Sequence, residues 1–368
     1  MSVITATTTT TSNAPARSSA PAPPSVQTTI TAPLRRAWED YVRRAPAGTL
    51  FHLPQWCAAV EAVFPHRPKH QLAIRHGAVV GVLPLYEIRS FLAGTLLVSV
   101  PYAVYGGIVA EDDATRTALA AEARRLTDQC GARALEFRSE TAVCPDLPLD
   151  ERYVCFVRDL PVDLKELETF LPRKARAAAR QARQREGLTV AHESDQLALT
   201  WNLYARSMRR LASINYPRRF FDELVNRFGD DAWITIVRRG TQPVAGLLSF
   251  VFRDTIYPYF VGVDERARCT GAMNLLYLAV MERAVQEGLR RFDFGRSRKD
   301  NAGSYRFKEH QGFVPRTLGY QRYLPAGCEP PDLSPSNPRW SLARRIWPRL
   351  PLGLTKPLGA WLSRAIPG

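Results

Sequence analysis

The sequence predicts an α+β protein of two tandem, similar domains, each a mixed sheet flanked by helices. Three observations carry that expectation. A hairpin pattern occurs twice, as LAIRHGAVVGVLPLYEIRS over 72–90 and ITIVRRGTQPVAGLLSFVFRDT over 234–255. Each is an apolar run, a basic residue, a glycine turn (Gly77, Gly240) and a second apolar run opened by Gly81 or Gly246. A helix-to-strand pattern also occurs twice, as LAAEARRLTDQCGARALEFRS over 119–139 and LYLAVMERAVQEGLRRFDFGRS over 276–297. In both, the helical pattern stops at a glycine (Gly131, Gly288), and an acid followed by Phe comes five residues later: Glu136–Phe137 and Asp293–Phe294. Finally, the repeat is far longer than a solenoid unit, and 368 residues suffice for two cores.

Composition narrows the function classes. Fifty basic against thirty-five acidic residues give a net charge of +15. That points to an anionic partner, whether nucleic acid, a phosphorylated small molecule or an acidic membrane surface; an Arg-rich background composition accounts for the same charge. Cys57, Cys130, Cys144, Cys155, Cys269 and Cys328 form no CxxC pair and have no histidine at zinc-like spacing. Reduced thiols in the cytoplasm are therefore expected, and no metal. No run of about 18 apolar residues occurs, so a spanning helix is excluded on length. The opening MSVITATTTTTSNAPARSSAPAPP lacks the basic-then-apolar pattern of a secretory signal.

Taken in order, residues 1–33 are rich in Thr, Ser, Ala and Pro and are expected to be a disordered tail. A first domain over 34–150 starts with a helical pattern through Trp38, Tyr41 and Val42. A second helix follows over Phe51–Phe64, with Pro54 in its first turn. The hairpin comes next, then a strand over Leu96–Ala110 broken at Pro101, a helix capped by Asp112–Asp113, and a closing strand at Ala134–Arg138. A second domain over 151–325 opens with a strand at Tyr153–Leu160. Its next helix carries Arg173, Arg176, Arg180 and Arg183 on one face. Helices over Leu197–Arg210 and Arg219–Phe228 precede the second hairpin, a strand at Ile256–Val263, a helix over Ala272–Glu287 and the strand RRFDFG. Residues 326–368 form a basic, aromatic, proline-punctuated C-terminal tail, in which Trp340, Ala343, Trp347 and Leu350 share a face. That tail suits peripheral attachment to an anionic membrane, on the inner face. A strap packed on the second domain is the other reading.

Hairpin, strand, helix, strand is the element order of the acyl-CoA-dependent N-acetyltransferase (GNAT) fold. Arg268-Cys-Thr-Gly271-Ala-Met273, just before the helix of the second domain, resembles the cofactor loop of that fold. Met273 stands where the pattern has a small residue; a plain helix-start glycine is the other reading. Arg268, Gly271, Ala272 and Asn274 are the donor-binding candidates, set to receive a pyrophosphate at a helix N-terminus. Glu111–Asp112–Asp113 stand at the equivalent place in the first domain and would repel one. Further motifs are FHLPQW (51–56), GVLPLYEIRS (81–90), PYAVYGG (101–107), LPRKARAAAR (171–180), FDFGRS (292–297) and SYRFKEHQGF (304–313). Together they resemble the FemAB-like, or BioF2-like, acyltransferases, and within them the branch associated with exosortase/PEP-CTERM sorting and exopolysaccharide gene clusters.

The resemblance implies twin GNAT domains and transfer of an acyl or aminoacyl group to an amine in cell-envelope or exopolysaccharide biosynthesis. The donor would be acyl-CoA, or aminoacyl-tRNA as in better-known Fem relatives. The acceptor would be an amine-bearing precursor of a surface polymer. Lys308 and Asp293 are the leading catalytic candidates. Lys308 would stabilise developing negative charge, and its loss would abolish turnover with little change in melting temperature. Asp293 would orient or deprotonate the amine, and Tyr305 would donate a proton or a hydrogen bond. Trp56, Tyr105, Gly106, Gly107, Arg173, Lys174, Arg296 and Arg306 are candidates for binding the acceptor. A non-catalytic, membrane-associated scaffold is the alternative of another class.

Overall fold

The computed structural model describes residues 22–267, 269–331, 333 and 337–366. The first half is laid out as β1 (Ser25–Gln27), α1 (Ala32–Arg44), α2 (Pro54–Val63), β2 (Arg67–Pro68), β3 (Gln71–Arg75), β4 (Ala78–Leu83), β5 (Leu85–Ser90), β6 (Gly94–Ser99), β7 (Val109–Ala110), α3 (Asp113–Gln129) and β8 (Leu135–Phe137). The second contains β9 (Tyr153–Asp159), α4 (Leu164–Phe170), α5 (Arg173–Gln184), β10 (Leu188–His192), α6 (Leu197–Arg210), α7 (Arg218–Phe228), β11 (Ala232–Arg239), β12 (Gln242–Phe252) and β13 (Thr255–Val263). It continues with α8 (Ala272–Gln286), β14 (Arg291–Arg298), α9 (Ala302–His310), β15 (Pro315–Thr317) and β16 (Gln321–Tyr323). Two more helices follow, α10 (Ser341–Ile346) and α11 (Leu352–Leu362).

The α+β class and the repeated element order hold, but the two halves close their sheets differently. The second forms one sheet in the order β10-β11-β12-β13-β14-β9-β15. In the first half Pro84, which has no amide to donate, separates β4 from β5 and the chain changes sheet there. One sheet runs β1-β3-β4-β7 and the other β16-β8-β6-β5-β2. Two sequence expectations need correction. Ser25–Gln27, inside the expected tail, pair with Leu72–Ile74 as an edge strand, which needs backbone partners rather than apolar side chains. The strand expected over Leu96–Ala110 stops at Ser99, and residues 100–108 leave the sheet before β7.

Packing joins the halves. The largest core cluster draws Trp38, Phe51 and Trp56 from the first half and Phe220, Phe250 and Tyr257 from the second. The Trp56 ring meets Phe220, Phe250 and Tyr259 edge-on at 5.9, 5.9 and 5.3 Å. Smaller cores lie under α3 and under α5 and α8. No helix among the described residues is long and apolar enough to cross a membrane.

The sheets cross over as well. β16 ends the second half in sequence yet pairs with β8 of the first, Gln321 opposite Phe137. The Gln321 side chain is 2% exposed and fully used. Its oxygen accepts from the amides of Val143 and Cys144, and its nitrogen donates to the carbonyls of Cys144 and Leu147. Replacing it with Leu orphans two amides and the Leu147 carbonyl in the segment that links the halves, while the Cys144 carbonyl keeps the Leu147 amide. At about 1–3 kcal/mol for each buried group left unsatisfied, Gln321→Leu should destabilise the chain by roughly 3 kcal/mol or more. Urea unfolding would register this as a lower midpoint, and an unchanged midpoint would contradict the role.

Candidate active site

Each half contains one parallel strand pair that holds together for two rungs and then opens. In the first half these are Leu97–Leu135 and Val98–Glu136; in the second, Thr255–Arg291 and Ile256–Phe292. Beyond the last rung, backbone groups on the facing edges need other partners. The two halves meet that need in different ways.

The first half supplies its own partners. Its excursion 100–108 folds back so that the amides of Gly106 and Gly107 both donate to the Arg138 carbonyl, at 2.8 and 3.0 Å. A Cβ on Gly107 would fall 1.7 Å from the Ser139 hydroxyl, so only glycine fits against β8. The start of α3 is filled too. Asp112 accepts from the Thr115 amide and pairs with Arg75 through both oxygens, which holds its carboxyl well below the usual range.

In the second half α8 begins at Gly271, with φ +77° and no side-chain cap. A Cβ there would sit 2.3 Å from the Ala178 carbonyl, so the glycine lets α5 press against the mouth of α8. The amides in the first turn of α8 have no side-chain cap, an arrangement suited to a phosphate. A hollow of about 390 Å³ beside residues 264–266 is walled by Arg206, Arg210 and Arg266. Arg206 and Arg210 pair there with Asp264 and Glu265.

A larger cavity of about 850 Å³ lies between the halves. Its walls come from β6 and β8 on one side, β14 and the start of α9 on another, α6 and the loop after it, and the C-terminal chain. Arg138, Arg152, Arg296, Arg298 and Arg322 line it. Burial alone would raise the Glu136 carboxyl, but Arg138 and Arg322, at 2.7 and 3.1 Å, pull it down to about 2. Arg296 differs. Among the described residues it has no carboxylate partner: it donates to the Tyr320 hydroxyl at 3.2 Å and lies 5.0 Å over the Tyr153 ring. The hydroxyls of Ser297 and Ser304, 3.0 Å apart, complete this wall.

Behind the wall sits a buried ionisable pair. β14 bulges between Asp293 and Arg296, where Gly295 takes φ +68° and its amide donates to the Asp293 carboxylate at 2.7 Å. Lys308 on α9 donates to the carbonyls of Gly295 and Arg296 at 3.1 and 2.9 Å. Burial pushes the Asp293 carboxyl up to about 6 and the Lys308 ammonium down to about 7. Among the described residues the Tyr105 hydroxyl, buried against the same carboxyl, completes no hydrogen bond of good geometry. Cys155 is pushed up to about 11 by burial and by Asp293, which removes it as a thiolate nucleophile.

The sequence-predicted residues thus divide. Arg296 lines the cavity; Asp293, Lys308 and Tyr105 come together just behind it without reaching its surface. Lys308 is held by two backbone carbonyls, so the expectation that its loss would spare stability is corrected. Tyr305 packs edge-on against Phe156 and takes no part in the cavity wall. Trp56 is a core residue, and the Gly106 and Gly107 amides are already engaged. Arg173, Lys174 and Arg306 are exposed away from the cavity. Gly271, Ala272 and Asn274 stand together at the start of α8, while Arg268 lies outside the described residues. Sequence reasoning missed Arg138, Arg322 and Tyr153. The repeat held the signal for the first: aligning LEFRS with FDFGRS puts Arg138 opposite Arg296 once Gly295 is counted as an inserted residue. Among the described residues no group of three His, Cys, Asp or Glu could hold a metal ion.

Comparison with known proteins bears on the fold. Residues 171–309 match the family model for an acetyltransferase (GNAT) domain. FemX is similar over 82% of this chain and 97% of its own, with a TM-score of 0.60 at 15% identity. A tandem GNAT protein from the clavulanic acid biosynthesis pathway is similar over 84% of this chain and 100% of its own, with a TM-score of 0.52 at 13% identity. The C-terminal domain of a putative lysylphosphatidylglycerol synthetase from Agrobacterium fabrum is similar over 78% and 90%, with a TM-score of 0.50 at 14% identity. No curated protein matches the chain. The fold is a tandem GNAT fold, and with an acetyltransferase domain in its second half the chain is an N-acyltransferase enzyme.

Burial of Lys308 makes stability depend on pH. A pKa lowered on folding gives stability that is complete above the unfolded value, about 10.4 for a lysine, and is lost as pH falls through the folded value of about 7. In Lys308→Met the lost carbonyl partners add a constant cost, while this slope disappears. Urea midpoints from pH 10 down to pH 7 should therefore fall in the native chain relative to the variant, by the amount of one proton taken up on unfolding. Parallel curves would mean that Lys308 keeps an ordinary pKa.

Proposed function

We propose that the chain moves an acyl group from acyl-CoA to the amine of an anionic acceptor. The donor pyrophosphate rests on the first turn of α8 and the acceptor in the cavity between the halves. One observation carries this reading: the opening between β6 and β8 is filled by the chain's own glycines and its helix is capped by Asp112, whereas α8 starts at an uncapped glycine. A donor is thus assigned to the second half, and the first becomes a wall of the acceptor cavity.

The chemistry needs no covalent enzyme intermediate. The amine nitrogen attacks the thioester carbonyl; the C–N bond forms, the C–S bond breaks, and the thiolate leaves and takes up the proton that the amine loses. Amides of β13 beyond Ile256, released from the ladder to β14, are suited to receive the developing oxyanion. Arg296 is suited to a phosphate or carboxylate on the acceptor, because no carboxylate of the described chain neutralises it. Lys308 and Asp293 act as positioning residues. They fix the two ends of the β14 bulge, and with it the Arg296 backbone, at a cost in desolvation that the hydrogen bonds partly offset. An amine-bearing precursor of a cell-surface polymer, in the exopolysaccharide setting that the motifs resemble, fits this acceptor description.

A second reading has one observation in its favour. α5, with Arg173, Lys174 and Arg180 exposed, packs directly against the start of α8. A donor with a longer phosphate track, such as aminoacyl-tRNA, could follow that surface. Incubation with labelled acyl-CoAs and with charged tRNA separates the two. Substituting Arg173 and Arg180 with Glu should weaken only the second donor.

The donor and acceptor assignments can be tested separately. Asn274→Asp puts a carboxylate in the first turn of α8, which favours the helix but repels a pyrophosphate. It should weaken acyl-CoA binding about tenfold by titration calorimetry without lowering the melting temperature. Arg296→Gln should raise the acceptor KM roughly ten- to a hundredfold, the scale of a charge-assisted hydrogen bond of about 1.5–3 kcal/mol, and leave donor affinity unchanged. Unaltered donor binding in the first variant, or an unaltered acceptor KM in the second, would remove the corresponding assignment.

A further inference from the structure

The C-terminal chain packs on the protein. Trp347 donates to the Ser213 carbonyl, Arg209 to that of Leu350 and Asn215 to that of Lys356. The Tyr102 hydroxyl donates to the Ser363 carbonyl, tying the end of α11 to the first half. One face of α11 therefore closes over the interior, and Leu362 and Ile366 become part of the cavity wall.

The adjoining face is apolar and uncovered among the described residues. Leu354, Leu358 and Trp361 recur at helical spacing along α11 and are 58, 43 and 51% exposed. Phe91, at the tip of the hairpin between β5 and β6, is 60% exposed and stacks on Trp361 with ring centres 4.9 Å apart. Other large apolar side chains are exposed, such as Val162 and Val314, but a group of four that meets across two elements marks an interaction surface. Its chemistry is one-sided: from Asn337 to Ile366 the chain has six basic residues and no acid. Arg345, Arg349 and Arg364 are exposed. A second copy of this chain would bring those cations against themselves.

The patch is also the rim of the cavity. Phe91 faces out while its neighbour Leu92 lines the cavity; Trp361 faces out while its neighbour Leu362 lines it. We propose that this face docks on an anionic lipid bilayer, with Leu354, Leu358, Trp361 and Phe91 entering the interface and the arginines meeting lipid phosphates. The cavity then opens at the membrane surface, where an acceptor held by a lipid anchor could enter without leaving the bilayer. The docking goes beyond the acyltransferase reading and does not depend on it, because vesicle binding is measured with neither donor nor acceptor.

The test uses the full chain with vesicles of phosphatidylcholine alone, and of phosphatidylcholine and phosphatidylglycerol in equal parts. The chain should sediment with the anionic vesicles and much less with the neutral ones. Brominated acyl chains should quench its fluorescence, and Trp361→Phe should remove most of that quenching. Leu354→Glu combined with Leu358→Glu, both at exposed positions, should weaken vesicle binding at least about tenfold while the melting temperature stays the same. Absence of binding, equal binding to both vesicles, or undiminished binding by the double variant would overturn the proposal. So would a concentration-dependent dimer in sedimentation velocity that the double variant abolishes, which would assign the patch to a second copy.

Discussion

Backbone amides that leave a β-ladder must find partners elsewhere, and both halves of this protein are organised around that requirement. Each opens a parallel strand pair after two rungs. The first half closes the gap with residues 100–108 and caps its helix with a carboxylate. The second begins its helix at a glycine without a cap. The same supersecondary unit is thus satisfied by the chain in one copy and starts at an uncapped glycine in the other, where the proposed donor would sit. That asymmetry, more than any single side chain, assigns the roles of the halves.

The shared aromatic core gives those roles a fixed geometry. Because Trp56 and Phe51 pack among Phe220, Phe250 and Tyr259, the cavity walls cannot slide past one another without opening the core. Arg138 and Arg296, from equivalent strands of the two repeats, consequently face one space. Their environments differ: Glu136 neutralises the first, while the bulge at Gly295 turns the equivalent acid, Asp293, inward and leaves the second without a carboxylate. One inserted glycine separates a structural ion pair from a cation that lines the cavity with no carboxylate partner among the described residues.

Much of the fold was legible in the sequence, because repeated hairpins and glycine-terminated helices are local patterns. The helix over Leu197–Arg210 and the start of α8 at Ala272 fall where the sequence places them. The site was less legible. Lys308 and Asp293, both singled out by their motifs, lie near each other, but their burial depends on how β14 bulges and how α9 packs, and neither leaves a periodic trace. Gly106 and Gly107 suggest room for a substrate, whereas the space at Gly106 is taken by Val100 and that at Gly107 by Ser139, some thirty residues away. Trp56 carried a motif whose function is packing. The tail was ambiguous between a strap and a membrane anchor because its two faces differ, and only the fold shows which one is covered.

The crossing of β16 into the first sheet has a consequence for biogenesis. A chain emerging from the ribosome has most of its first half available long before residues 321–323 exist, so β8 waits with a bare edge and half an aromatic core exposed. Nascent chains in that state are prone to associate with one another. The protein therefore cannot mature domain by domain: its first sheet is completed only after the second half has been synthesised, and a chain cut before residue 321 is left with an unfinished edge.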